Sequence, residues 1–244
     1  MRFQYLPFLE PALKTVSASG MRRNSASKRA TGYMPSRSEF DALVELARER
    51  RLYLFCDEMY RLLEADPARR LPAMCDVYEK GISLCGLSKS FGLPGLRLGW
   101  LASQDHDVLE RCMGLKDYTT ICSPGPSEAM GLIALRGRER ILQRNRDILA
   151  RNLAAARSFF TGHDGRFRWI EPEGGPVAFP LWTGPMAVEE FCATALAQES
   201  VMIAYGALFD HPGGHFRVGM GRRSFPEALD RLASLFMKRY SPLK

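Results

Sequence analysis

The run Ser88-Lys89-Ser90-Phe91-Gly92-Leu93-Pro94-Gly95-Leu96-Arg97-Leu98-Gly99-Trp100 follows Asp57-Glu58-Met59-Tyr60, with Lys89 32 positions after Asp57. A single lysine between serines carries little information. Here an arginine follows Lys89 eight residues later across a Gly/Pro-rich turn, and a carboxylate and a phenol three apart precede it. An amine can form a covalent bond with a carbonyl carbon. A guanidinium grips phosphate or carboxylate with two parallel hydrogen bonds, and a carboxylate can pair with a protonated ring nitrogen. A lysine amine becomes nucleophilic near neutral pH only where burial or nearby cations favour its neutral form. The constellation therefore predicts a sheltered lysine.

The flanking pattern predicts where these groups stand. Leu52-Tyr53-Leu54-Phe55-Cys56 is a short continuous apolar run, as expected for a parallel strand covered on both faces. Ile82-Ser83-Leu84-Cys85 is a second such run and residues 96–102 a third. Asp57 and Lys89 each come just after a strand, and ligands of open α/β sheets gather beyond the carboxyl ends of strands. Phe40, Leu43, Val44, Leu46 and Ala47 recur at helical spacing after Ser38, a candidate N-cap. Helices are also expected over 127–135 and 139–160. Beyond Gly162 the texture becomes α+β, with strands over 166–170, 177–182 and 216–219 and helices over 188–198 and 225–240.

Phe216-Arg217-Val218-Gly219 completes a set of three separated segments that keep a common order and spacing. On these residues the chain, from about Thr31 onward, resembles the C-terminal part of the class I/II aminotransferases, fold-type I enzymes that use pyridoxal phosphate. The resemblance implies an α/β fold: part of a large cofactor domain, mostly parallel sheet with flanking helices, followed by a small α+β domain. The expected division is an irregular, unmatched arm over 1–30, the cofactor-domain remnant over 31–143, and the small domain with its bridging helix over 144–244.

The same resemblance implies a role for each matching residue. Lys89 would be the Schiff-base lysine and, once released, the base that moves a proton at the substrate α-carbon. Asp57 would pair with the pyridine nitrogen, and Tyr60 would hydrogen-bond the cofactor's phenolic oxygen. Arg97 would clamp the phosphate, with Ser88 and Ser90 as further contacts. Arg217, helped by Gly174-Gly175, would hold the substrate carboxylate. The implied activity moves an amino group between an amino acid and a 2-oxo acid. Lyase, decarboxylase and cyclising-synthase reactions use nearly the same constellation. A homodimer in the cytoplasm is expected from the family.

The sequence also departs from the family pattern. Thr31-Gly32 matches the end of an Asn-Pro-Thr-Gly segment, but Arg29 and Ala30 precede it. Gly86 stands three before Lys89, where the family commonly has a phosphate-binding serine. The family's N-terminal part, with its phosphate cup and ring-stacking aromatic, has no counterpart in the first thirty residues. The expectation is a truncated chain whose sheet exposes apolar faces and unpaired edges, and one alternative is a non-catalytic fragment.

Composition excludes other classes. A net charge of +7 is spread over single arginines, as in Glu139 to Arg157, without the clustering and aromatics of a nucleic-acid surface. Six cysteines form no CxxC pair and have no closely placed histidines, so no metal-ligand spacing is present. Several lie in apolar runs, as in Leu54-Phe55-Cys56, and read as buried thiols of a reducing cytosol. Glu10, Pro11 and Lys14 interrupt any leader-like apolar run, and no stretch reaches the roughly 18 apolar residues of a membrane-spanning helix.

Overall fold

Leu54–Asp57 (β2) and Gly81–Gly86 (β3) pair in parallel, with Asp57 opposite Leu84. Val16–Ser17 (β1) adds a short parallel strand on the other side of β2, and Gly99–Ser103 (β4) pairs with β3 antiparallel. The computed structural model describes residues 16–17, 31–163 and 165–240, which divide into two units. The first contains the four-stranded sheet and 34–145; the second contains 31–33 and 146–240. Thr31-Gly32-Tyr33, expected to open the first domain, thus belong to the second unit, and the later division falls between Asn145 and Arg146. Within the arm 1–30, expected to be irregular, Val16–Ser17 form a strand; its other residues lie outside the described ones.

The direction of β4 corrects the expectation of a third parallel strand. A parallel return needs a crossover of a dozen or more residues, usually helical, back to the far end of the sheet. Residues 87–98 instead turn at the same end, and Pro94–Leu96 form only one 3-10 turn. The strand therefore begins at Gly99 and not at Leu96, and the whole Lys89 segment stays at the carboxyl end of β2 and β3.

The helix Arg37–Glu49 (α1) is capped by Ser36 and not by Ser38. Ser36 Oγ accepts from Glu39 N at 3.2 Å, and Glu39 accepts in return from Ser36 N at 2.7 Å, a capping box. Phe40, Val44 and Ala47 lie on the buried face and pack with Leu54, Met74 and Tyr78. Met74–Val77 (α2) is a single turn. The Tyr78 hydroxyl donates toward Ala47 O (3.1 Å) and Leu52 O (2.6 Å), satisfying the end of α1 where it meets the sheet.

His106–Thr119 (α3) carries no helix in the sequence reading because its apolar stripe is thin: only Val108 is buried. Its start is instead defined by Asp105, whose carboxylate accepts from Val108 N at 3.1 Å and from Tyr53 Oη at 2.6 Å. Gly125–Arg136 (α4) presents exposed Met130, Leu132 and Ile133. Arg138–Gly162 (α5) follows after Gly137.

In the second unit, Val177–Ala178 (β6), Ala204–Tyr205 (β8) and Phe216–Gly219 (β9) form an antiparallel sheet in the order β6-β9-β8. Phe167–Arg168 (β5) pairs separately with Leu181–Trp182 (β7), so the expected strand over 177–182 is split between two sheets. Val188–Glu199 (α6) and Phe225–Tyr240 (α7) complete the unit. Its core is aromatic: Phe160, Phe167, Trp182, Phe191, Phe216 and Phe236 are buried together, with Trp182 stacked on Phe191 at 4.2 Å. Burying side chains of this size contributes roughly 1.5–3 kcal/mol each. Gly32 docks here, accepting from Glu173 N and Gly174 N at 2.9 and 3.2 Å. Its φ of 69° and a Cβ position only 2.2 Å from Pro172 Cβ admit no side chain.

Candidate active site

The first site segment is the turn after β2. Glu58 N donates to Leu84 O at 2.8 Å, carrying the strand ladder one residue past Asp57. Asp57 Oδ1 then accepts from Met59 N at 3.2 Å, and Arg61 N donates to Glu58 O at 2.9 Å. These bonds close a tight turn that carries Tyr60, and Asp57 and Tyr60 are both half-buried.

Glu58 is the anchor of that turn, although its sequence neighbours Asp57 and Tyr60 carry the motif. Its side chain is 8% exposed. One oxygen accepts from Ser83 Oγ at 2.6 Å and Met74 N at 3.0 Å; the other pairs with Arg61 at 3.1 Å. Arg61 also donates to Leu71 O at 3.0 Å. A buried carboxylate is tolerated when its lone pairs are filled in this way. Burial, then the negative charges of Glu58 and Asp57, push the nearby Cys56 thiol up to about 12. A thiol raised in this way carries little thiolate at neutral pH.

The second segment is the loop from β3 to β4. Leu87 N donates to Leu98 O (3.0 Å), Gly92 N to Lys89 O (2.9 Å) and Leu93 N to Leu87 O (2.9 Å). Asn145 Nδ2 donates to Ser90 O at 2.9 Å. Lys89 is exposed on this fixed backbone, contrary to the sheltered position its chemistry predicts, while Ser88 is half-buried. Ser90, expected as a possible phosphate contact, turns inward. It is 1% exposed, and its hydroxyl proton is shared between Met59 O (3.0 Å) and Arg61 O (2.5 Å). Neighbouring positions in the turn thus face opposite ways.

Arg97 is exposed in the left-handed region at φ 55°, with NH1 donating to Pro94 O at 2.9 Å. Among the described residues its remaining guanidinium donors make no hydrogen bond. Gly86 lies opposite Gly99 at the end of the β3–β4 pair. A Cβ on Gly86 would sit 2.8 Å from Leu98 O and 3.0 Å from Gly99 Cα. The serine of the family pattern has no room here without displacing strand backbone.

Arg217 stands in the second unit on β9, opposite Ala204, exposed and with its guanidinium 5.5 Å from the Phe209 ring centre. Gly175, of the Gly174-Gly175 pair, adopts φ 76°. His211 and His215 gather with Phe179 in the same unit; burial, then His211, hold His215 below the usual imidazole range.

Because β2 and β3 are parallel, Asp57, Tyr60, Ser88, Lys89 and Arg97 all emerge at one end of the sheet. They bring a carboxylate, a phenol, a hydroxyl, an amine and a guanidinium. These groups complement the pyridine nitrogen, phenolic oxygen, aldehyde and phosphate of pyridoxal phosphate, so the residues fit that group, although without a serine at Gly86. Among the described residues no cluster of metal-ligating side chains is present, and no helix is long and apolar enough to cross a membrane.

The fold is that of a fold-type I pyridoxal-phosphate enzyme. The family model described as aminotransferase class I and II matches residues 27–234. The chain belongs to this family, whose members depend on pyridoxal phosphate. The putative aminotransferase YugH of Bacillus subtilis (strain 168) is 26% identical over 215 residues, covering 86% of this chain and 54% of its own length. The crystal structure of a PLP-dependent aminotransferase from Streptococcus suis 89-1591 superposes with a TM-score of 0.80 at 29% identity, covering 94% of this chain and 58% of that one. The PLP-dependent cyclase OrfR gives a TM-score of 0.76 at 28% identity over 86% of this chain and 57% of that one. The chain spans about half the length of the curated relatives it matches.

Proposed function

We propose that this chain carries the cofactor site of an aminotransferase that moves an amino group between an amino acid and a 2-oxo acid. The observation that carries this reading is the emergence of Lys89, Asp57 and Tyr60 from two stitched turns at one end of a parallel strand pair. When bound, pyridoxal phosphate supplies an electron sink for negative charge developing at the substrate α-carbon. Lys89 Nζ accepts the proton from that carbon and returns it to the accepting atom. The Asp57 carboxylate keeps the ring nitrogen protonated, and the Tyr60 hydroxyl donates to the ring oxygen. Arg97 grips the phosphate, with the Ser88 hydroxyl as a second donor. Arg217 orients the substrate carboxylate, which fixes the bond to be broken. The protein is proposed to act as a cytoplasmic homodimer, with neither a nucleic-acid nor a membrane partner.

A second reading is a cyclising reaction on the same cofactor, favoured by the likeness to the cyclase OrfR. The exposure of Lys89 favours a third, in which this chain captures cofactor without turning substrate over.

The test is incubation with pyridoxal phosphate, borohydride reduction and peptide mapping. The expected covalent adduct is on Lys89 and is lost in Lys89→Ala; an adduct spread over surface lysines overturns the cofactor site. Supplying a nitrogen-15 amino acid with a 2-oxo acid then separates the readings. Label in a new amino acid supports transamination, a cyclised product without acceptor supports the cyclase, and cofactor capture alone supports the third.

A further inference from the structure

We propose that Ser90 is a positioning residue that makes the Lys89 turn and the Tyr60 turn one body, an inference that rests on the cofactor site described above. Residue 90 directly follows the exposed lysine, yet its side chain is 1% exposed and directed away from solvent. Its hydroxyl reaches Met59 O and Arg61 O, the two carbonyls that bracket Tyr60. Its own carbonyl is held from behind by Asn145 Nδ2. The far side of the Tyr60 turn is fixed by Glu58 and Arg61 through Ser83 Oγ, Met74 N and Leu71 O. No strand ladder joins residues 59–61 to residues 88–90; the β2–β3 ladder ends at Asp57 and Leu84. The Ser90 hydroxyl is thus a direct polar link, which we infer sets the phenol of Tyr60 relative to the amine of Lys89. A phenol that hydrogen-bonds the cofactor stabilises one protonation state of the bound group, so its placement sets the pH at which that group titrates.

The experiment uses the full chain loaded with pyridoxal phosphate and follows the visible absorption of the Lys89 adduct against pH. Wild type is compared with Ser90→Ala, Ser90→Thr, Tyr60→Phe and the Ser90→Ala/Tyr60→Phe double variant. Ser90→Ala is expected to move the titration midpoint in the same direction as Tyr60→Phe, by about threefold or more in proton affinity. Ser90→Thr, which keeps the hydroxyl, restores it, and the double variant goes no further than Tyr60→Phe because the two act on one interaction. If Tyr60→Phe shifts the midpoint while Ser90→Ala leaves it at the wild-type value, the inference is overturned and the cofactor site stands. If wild type forms no adduct at Lys89, the cofactor site fails, and amide hydrogen exchange decides the clamp. Amides 59–62 should then exchange about tenfold faster in Ser90→Ala, with those of α1 unchanged; equal protection overturns the link itself.

Discussion

The Ser83 hydroxyl donates to the Glu58 carboxylate across 2.6 Å, joining the middle of β3 to the residue that follows β2. The same hydroxyl accepts from Cys75 N at 3.1 Å, so one side chain serves both the sheet and α2. Removing either partner leaves buried groups unsatisfied. Ser83→Ala is expected to cost about 1–3 kcal/mol. Glu58→Ala, which strands Arg61 and Met74 N as well, should cost about 3–5 kcal/mol. Urea unfolding midpoints at constant slope measure both; an ordering with Ser83→Ala the worse would show that the charge pair with Arg61 contributes little.

Gly86→Ser tests whether the missing family serine could be restored. A side chain there meets Leu98 O and Gly99 Cα, so the strands must part. The expectation is a loss of about 1–3 kcal/mol, without tighter retention of pyridoxal phosphate on gel filtration. Tighter retention at unchanged stability would mean that the Gly86–Gly99 pairing yields freely.

The Tyr53–Asp105 pair predicts stability changes at both ends of the pH scale. The hydrogen bond from Tyr53 holds the Asp105 carboxyl below its ordinary 3.8, and that bond to Asp105, followed by burial, raises the Tyr53 phenol above 10.0. A depressed carboxylate contributes stability that is present above its ordinary value and lost as pH falls through the folded one. A raised phenol contributes stability that is present below its ordinary value and lost as pH rises through the folded one. Tyr53→Phe should therefore flatten both limbs of a plot of unfolding free energy against pH. Limbs as steep as wild type would place the titrations elsewhere.

Thiol labelling should follow burial. Cys122 is exposed, whereas burial pushes the Cys56 and Cys192 thiols up to about 12. At pH 8 in native conditions iodoacetamide is expected to modify Cys122 first and to reach Cys56 and Cys192 only with denaturant. Peptide mapping over time reads the order, and early labelling of Cys56 would mean that the β2 end opens readily.

Arg217→Ala should weaken binding of amino acids and 2-oxo acids to the cofactor-loaded protein by more than about tenfold, since a planar pair of charge-assisted hydrogen bonds is lost. Its exposure on β9 and its contact with the Phe209 ring predict little change in melting temperature. Unaltered amino-acid-induced spectral change would remove Arg217 from the substrate site.

Much of the proposed site is visible in one dimension. Lys89, Asp57, Tyr60 and Arg97 are recognisable because their chemistry depends on residue type and on spacing from apolar runs, and those runs do become β2 and β3. Glu58 is harder to see, since a carboxylate beside Asp57 with Arg61 three residues later resembles a solvated ion pair. Ser90 was visible but pointed the wrong way: its partners are 29 and 31 residues distant. The helix His106–Thr119 left almost no pattern because it buries one residue on its inner face.

By itself the sequence determined the family, the α/β class and the residues with reactive groups, because local composition and strand-length apolar runs encode these directly. Tertiary structure alone decided that β4 runs antiparallel, that Gly86 has no space for a side chain, that Thr31-Gly32 joins the second unit, and that Lys89 faces solvent while Ser90 faces inward. Each of these depends on which distant backbone atom comes within hydrogen-bonding or van der Waals distance, and that is set by packing of the whole sheet, not by the order of neighbouring residues.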